Sequence, residues 1–521
     1  MKRRKFIKHL GHSFAIPGLV SSFGFSMPGR NEMQSLLRFA QETDRVLVMI
    51  FLQGGNDGLN TVVPLNQLSA MNTVRPHVVL PDESLLPISR TDLAWHPELT
   101  GFKSLYDEGR LQIIQNVGYA DPNFSHFRST DIWMSGSDSK EVINSGWSGR
   151  YLQDQFPEYP VGFPNEEHPH PLAIEIGNKS SLLFQGSSSP MSMVIRDPNS
   201  FYELLDDVGG DVPDTIAGDK LDYVRTVARQ SQSYGQVIKE AAENVNDQLD
   251  YPSNRLADQL KIVTRLIKGG LQTPLYMVSL GSFDTHAKQV DENDHTKGWH
   301  AGKLKDLNES VMAFVKDLEF QGLDDRVIGM TFSEFGRRIV SNASFGTDHG
   351  AAAPLFVFGN HVAGGQVLGD DPIVPIESSV EDNLPLQYDF RQIYASVLEQ
   401  WLGASSSSIN NALMDQYSTL PIIGEGVVSG ITRNRRNNLA LNVFPNPLNS
   451  LATLEFMTDR DYLEIKLVDM HGRVVDLIFS GSISAGKHRM KWNTSMIPPG
   501  RYIVHIDGQK AKQSRVVIKG N

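Results

Sequence analysis

The sequence predicts an α/β domain built on a mostly parallel sheet flanked by helices, followed by a small C-terminal β-sandwich. Three observations predict it. Between residues 40 and 425, short and nearly continuous apolar runs alternate with segments of helical period. Polar, glycine-bearing clusters follow these runs one after another. Beyond residue 426 the chain becomes glycine-rich, then basic, and then breaks into short alternating segments.

The strand candidates are Val46–Leu52, Leu111–Val117, Leu172–Ile176, Leu275–Leu280, Val327–Phe332 and Leu355–Phe358. Unbroken apolar runs of this length suit strands covered on both faces, as in a parallel sheet. Helices carry the other period. Leu304, Leu307, Val311, Phe314, Val315 and Leu318 form one stripe in "AGKLKDLNESVMAFVKDLEFQG". Phe390, Ile393, Tyr394, Val397 and Trp401 form another, with Asp389 as N-cap and Gly403 as stop. "RLADQLKIVTRLIKGG" is a third helix, and the polar stretch Asp219–Asn246 reads as a cap or a partner-facing arm. From residue 441, the segments Ala452–Phe456, Leu463–Val468, His488–Trp492, Tyr502–Ile506 and Ser514–Ile518 alternate with turns, the pattern of a sandwich.

A chain of 521 residues holds two to four domains of ordinary size. The net charge of −12 argues against a nucleic-acid partner, which calls for a basic face. With no cysteine, disulfides, thiolate metal sites and cysteine nucleophiles are excluded. Any metal must be held by carboxylates, imidazoles or hydroxyls.

The basic start "MKRRKFIKHLGHS" and the weakly apolar stretch behind it have the layout of an export signal, assigned to residues 1–29. Gly11, His12, Pro17 and Gly18 make that stretch a poor membrane span, so no transmembrane anchor is expected in the mature chain. "RRKFIK" resembles the twin-arginine signal, which implies the twin-arginine translocase as a partner. At the other end, "NVFPNPLNS", "VDMHGRVV", "PPGRYIVHI" and "QSRVVIKG" resemble the type A sorting domain of the type IX secretion system. "GEGVVSGITRNRRNNLA", glycine-rich and then basic and polar, reads as a linker over 426–440, and the resemblance implies a sorting domain over 441–521 and release to the cell surface or beyond through the type IX apparatus.

In open α/β sheets, ligands gather beyond the carboxyl ends of strands. "GGNDGLNT", "GYADPNFSHFRS", "GSFDTHAKQ" and "SEFGRR" each follow a strand candidate, and "GTDHGAAAP" comes shortly after. Asp57, Asp284, His286, Glu334, Asp348 and His349 offer hard oxygen and imidazole donors for divalent metal. So many carboxylates at one site repel unless cations neutralise them, and two ions, as Zn, Ca, Mg or Mn, would do so. Arg337 and Arg338 could take anionic substrate oxygens, and Asn56 and Asn60 are further substrate contacts. Ser125 or His126, at a loop-to-helix start, is the catalytic candidate. Singly, each has a plainer reading: Asp57 in "NDG" as a turn former, Ser125 as a helix cap, the arginines as a solvated face. No Walker, dinucleotide-binding or GxSxG pattern is present.

"FLQGGNDGLNTVVP", "WHPELTGFKSLYDEGRLQIIQNVGY", "SHFRSTDIW", "SFDTHAKQ" and "FSEFGRRIVSNASFGTDHGAAAPLFVFG" together resemble the domain-of-unknown-function family 1501, itself similar to the alkaline phosphatase and sulfatase superfamily. The resemblance implies an alkaline phosphatase-like domain over 40–425 and metal-dependent hydrolysis of an anionic phosphate or sulfate ester. It implies Asp57 as first metal ligand, Asp284 and His286 (or Asp291 and His295) as later ones, and His349 as the last. Its nucleophile position falls on Ser125 or His126. Glu334 stands where that superfamily has an Asp–His pair. Two other readings remain: a secreted binding or assembly protein on a decayed hydrolase fold, and, less consistent with either end, an intracellular nucleotide-binding enzyme.

Overall fold

The structure, a computed structural model, describes residues 44–196, 216–245 and 247–424, and in the C-terminal part 442–444, 448, 450–458, 461–469, 473–483, 486–508 and 512–519. The expected export signal (1–29), the linker (426–440) and Asn246 of the polar helix lie outside the described residues. The chain divides into two compact units, Met1–Gly430 and Ile431–Asn521.

In the larger unit the strands are β1 (Val46–Leu52), β2 (Leu111–Gly118), β3 (Ala173–Ile176), β4 (Met193–Ile195), β5 (Leu275–Leu280), β6 (Val327–Phe332), β7 (Gly336–Asn342), β8 (Gly346–Gly350), β9 (Ala353–Phe358) and β10 (Gln366–Leu368). The central sheet runs β10-β2-β9-β6-β1-β5-β3-β4. β1 lies parallel to β5 and β6, and β3 parallel to β5 and β4, while β9 runs antiparallel to both β2 and β6. Every residue of β1 is buried, as its unbroken apolar sequence requires.

This topology explains how five sequence clusters reach one edge. β1, β2, β5 and β6 all end there, and the reversed strand β9 begins there, with Ala353 opposite Val117. The "TDHG" segment therefore arrives from the N-terminal side of a strand. It is also not a loop: β7 and β8 form an antiparallel hairpin that carries Arg337 opposite His349.

Helix α1 (His126–Ser135) follows β2, with Ser125 as N-cap residue and Gly136 closing it at φ 71°. Helices α2 (Arg255–Lys268) and α3 (Trp299–Gln321) pack on the sheet through the expected apolar stripes. Asp389 caps α4 (Phe390–Ser396) with a capping box to Gln392. Beyond Ser396 the helix widens to a π turn over Val397–Trp401, and the Trp401 indole N–H donates to the Val46 carbonyl at 3.0 Å.

The C-terminal unit contains two antiparallel sheets. One joins Asn442–Phe444, Leu451–Thr458 and Gly486–Asn493; the other joins Asp461–Asp469, Val474–Ile483, Gly500–Gly508 and Lys512–Lys519. Leu454, Ile465, Leu467, Val504 and Val517 are buried in its own core. Among the described residues, no helix is long and apolar enough to cross a membrane.

Two glycines decide how closely the strand-end loops approach. Gly54 has φ 121°, and a Cβ on it would lie 2.2 Å from the Asp284 backbone nitrogen. Gly55 has φ 85°, and its Cβ would enter the Phe335 ring at 2.4 Å. Gly54→Ala is therefore expected to lower stability by about 2 kcal/mol or more. Gly177→Ala, whose Cβ would meet nothing within 4 Å, serves as the near-neutral control in the same urea titration.

Behind these loops lie two buried histidines whose rings meet edge to face at 6.0 Å, His96 and His300. Burial, helped by its histidine neighbour, pushes His96 down to about 3. Burial pushes His300 down to about 4 against the pull of Asp57. Both stay neutral when folded and gain protons when unfolded, so their contribution is complete above about pH 6.5 and is lost as pH falls. The slope approaches about 1.4 kcal/mol per pH unit for each histidine between pH 6.5 and 4. Urea midpoints between pH 7.5 and 5 should fall less steeply in His96→Gln than in the parent chain.

Candidate metal centre

Arg337 organises the site from within. Its guanidinium is buried and donates to the carbonyls of Gly55 (2.9 Å), Thr347 (2.8 Å), Phe283 (2.9 Å) and Gly54, and to Asp284 Oδ1 (2.8 Å). One side chain thus ties the loop after β1, the loop after β5 and the hairpin strand β8 together. It faces inward, so its donors are occupied by the chain itself. Arg338 is turned elsewhere, over the Phe124 ring at 4.7 Å and onto Glu381.

Around Asp284 stand three histidines. His126 Nε2 lies 3.3 Å from Oδ2, while His286 Nε2 and His349 Nε2 each lie 3.2 Å from Oδ1. The Nε2 atoms of His286 and His349 are 2.9 Å apart. Each imidazole has its other nitrogen against an acceptor. His126 Nδ1 faces Glu334 Oε1 (2.9 Å), His286 Nδ1 faces Asp348 Oδ1 (2.8 Å), and His349 Nδ1 faces the Phe124 carbonyl (2.8 Å). A carbonyl accepts only from N–H, so the His349 proton sits on Nδ1 and its Nε2 presents a lone pair. The same logic favours Nδ1–H on His126 and His286, where carboxylates accept. In their neutral forms the three rings point lone pairs toward one carboxylate, an arrangement that repels itself until a cation or an extra proton enters. Nδ1 bonded to an acceptor and Nε2 left free is the orientation of metal-ligating histidine.

The charges at the cluster follow from the same contacts. Burial opposes ionisation of Asp284, but the hydrogen bond and the positive charge of Arg337 prevail and hold its carboxyl at about 2. The hydrogen bond that His126 donates to Glu334 raises His126 above its ordinary value, whereas burial lowers His349. Glu334 is itself buried and accepts from the Gly54 N–H at 2.8 Å as well as from His126. His126, Asp284 and His349 also form a cluster whose donor atoms lie within 4.8 Å of one another. His126, Asp284 and Glu334 line an open cavity of about 410 Å³ together with Gln53, Phe127 and Thr130.

Asp57 is placed differently from these residues. It is buried, and its Oδ2 is bound by the Arg75 guanidinium, also buried, and by Gln289 at 2.5 Å. Asn60 accepts from Arg75 at 3.2 Å and donates to the Val78 carbonyl at 2.7 Å. Asn56 accepts from Thr61 and from His300, each at 3.0 Å. Both asparagines are thus engaged by the protein interior. Ser125 is exposed, makes no capping bond through its hydroxyl, and is absent from the cavity wall. Of the alternative pair, His295 donates to the Val79 carbonyl at 2.7 Å and Asp291 belongs to a turn with Asp294.

Arg75, Gln289 and the Phe124 carbonyl were not anticipated from sequence. None has a local signature: Arg75 stands alone in "NTVRPH", and a backbone carbonyl has no letter of its own.

Residues 214–404 match the family described as "Protein of unknown function (DUF1501)", and residues 442–519 match "Secretion system C-terminal sorting domain". No curated protein sequence matches the chain. Among solved structures, the chain is similar to a sulfatase from Pseudoalteromonas sp. (10% identity, 91% of this chain and 89% of that one, TM-score 0.34). It is also similar to a protein in the alkaline phosphatase superfamily from Vibrio parahaemolyticus (9%, 84% and 85%, TM-score 0.33). A third is a phosphonate monoester hydrolase from Silicibacter pomeroyi (8%, 91% and 89%, TM-score 0.32). The chain thus carries a DUF1501 segment, of a family without assigned function, and a secretion-system C-terminal sorting domain over residues 442–519.

Proposed function

We propose that this is an exported metal-dependent hydrolase acting on phosphate or sulfate esters. The observation that carries the reading is the convergence of His126, His286 and His349 on Asp284 at the carboxyl edge of the sheet, each ring oriented through Nδ1. The donor set of imidazoles and a carboxylate fits a divalent ion of the zinc class. When bound there, such an ion supplies Lewis-acid polarisation of an anionic ester oxygen. The chain's own residues do the rest. Glu334 fixes the His126 ring at the cavity wall, and Asp348 and the Phe124 carbonyl fix the other two rings. Phe127 and Thr130 line the same cavity, where the organic part of the ester would lie. His126, rather than Ser125, is the candidate that faces this cavity.

A second reading is a non-catalytic secreted binding protein on the same fold. It is favoured by Asp57, which is paired with Arg75, and by Ser125, which has no base bonded to its hydroxyl. Hydrolysis of 4-nitrophenyl phosphate and sulfate, with and without chelator, separates the two. The hydrolase reading expects chelator-sensitive turnover, and His349→Ala should lower kcat/KM by at least about 100-fold, the upper end of what losing even an outer-shell partner costs. Unaltered turnover in that variant, or none in the metal-loaded parent protein, favours the binding reading.

The export route proposed is the twin-arginine translocase followed by the type IX apparatus. A reporter fused to the chain truncated before residue 441 should remain cell-associated, and Arg3→Lys with Arg4→Lys should leave the full chain in the cytoplasm. Normal release of the truncated fusion would remove the sorting assignment.

A further inference from the structure

We propose that the centre takes one divalent ion of the zinc class, not two, through His126 Nε2, Asp284, His286 Nε2 and His349 Nε2, and that Arg75 is the built-in counter-charge excluding Asp57 from metal binding. The inference rests on the metal-binding part of the reading above and deepens it.

The first argument is placement. His126 Nε2, His286 Nε2 and His349 Nε2 all lie within 3.3 Å of an Asp284 carboxylate oxygen. All three rings already have their Nδ1 atoms taken by Glu334, Asp348 and the Phe124 carbonyl. Four ligand groups complete a tetrahedral zinc-class shell, so an ester oxygen would enter as a fifth ligand.

The second is the state of Asp57. Arg75 is fully buried and cannot swing into solvent, and it lies on the same carboxylate that a second ion would need. Asp57 Oδ1 has no hydrogen-bond partner, but a cation bound there would sit beside a fixed guanidinium. Like charges at such a distance, away from water, strongly disfavour each other.

The third is charge balance. Asp57 with Arg75 sums to zero, and so does Asp284 with Arg337. Among the four ligand groups and the residues bonded to them, Glu334 and Asp348 remain, each −1 and each facing only a histidine among the ionic contacts described, for a formal −2 with neutral rings. One divalent ion neutralises this set; two would leave it at +2. The ligand types choose the ion: three imidazoles suit zinc-class ions, whereas Ca(II) and Mg(II) call for oxygen ligands.

The test is titration of the chelator-stripped full chain with Zn(II) and, separately, Ca(II), followed calorimetrically and by metal analysis after dialysis. The expected result is one Zn(II) per chain, with Ca(II) bound at least about tenfold more weakly. His126→Ala should raise the Zn(II) dissociation constant at least about tenfold. The double variant Asp57→Asn, Arg75→Met removes both buried charges and should keep one Zn(II) per chain within about threefold of the parent affinity. Two Zn(II) per chain, an unchanged affinity in His126→Ala, or loss of Zn(II) from a folded double variant overturns the inference. If the double variant does not fold, parent stoichiometry and His126→Ala still decide. One bound Zn(II) without ester hydrolysis supports this inference while removing the hydrolytic reading.

Discussion

The site depends on one buried guanidinium. Arg337 could not be taken out of water unless its donors were met, and they are met by four backbone carbonyls and Asp284. Burial pulls its affinity for a proton down, and Asp284 restores part of it. Carbonyls from three separate segments reach a single side chain only if those segments nearly touch, which is what glycine at 54 and 55 permits. With the loops pinned in this way, the positions of Asp284 and His349 follow, since one is bonded to Arg337 and the other stands opposite it on the hairpin.

The elements that were legible in the sequence are those held by apolar burial. β1, β5 and β6 have the bounds the apolar runs gave, and the stripes of α2 and α3 face the core. Several features were not legible, each for a physical reason. The β7–β8 hairpin carries Arg337, Arg338, Asp348 and His349, so it shows no hydrophobic alternation; it is held by Ile339 in an apolar cluster and by Arg337 bonded across the hairpin to the Thr347 carbonyl. The reversal of β9 has no local signature, because an apolar run reads the same in either direction. The Val474–Ile483 strand is not legible in the C-terminal unit for a simpler reason: none of its residues is buried, so it lacks a clear inward face.

The candidate site was legible as a set of residue types and less so as a geometry. Glycine, acid and histidine at successive strand ends marked the edge, and Asp284, His286 and His349 do meet there. A carboxylate, however, looks the same in sequence whether it binds metal or a guanidinium. Asp57 reads as a ligand in sequence, and nothing there shows Arg75, 18 residues away, that lies on it in the structure. Ser125 and His126 were inseparable by position, because the helix start that exposes the serine is what turns the next residue toward Glu334. The outcome is a centre in which some negative charge is answered by the chain's own arginines and the rest is left facing histidines.

The most direct test of this account is X-ray absorption at the zinc edge of the loaded full-length protein. The account predicts a single zinc with three imidazole nitrogens and one carboxylate oxygen at about 2.0–2.2 Å, and no metal–metal scattering. An oxygen-dominated shell, or a second metal at about 3.5–4 Å, would contradict it.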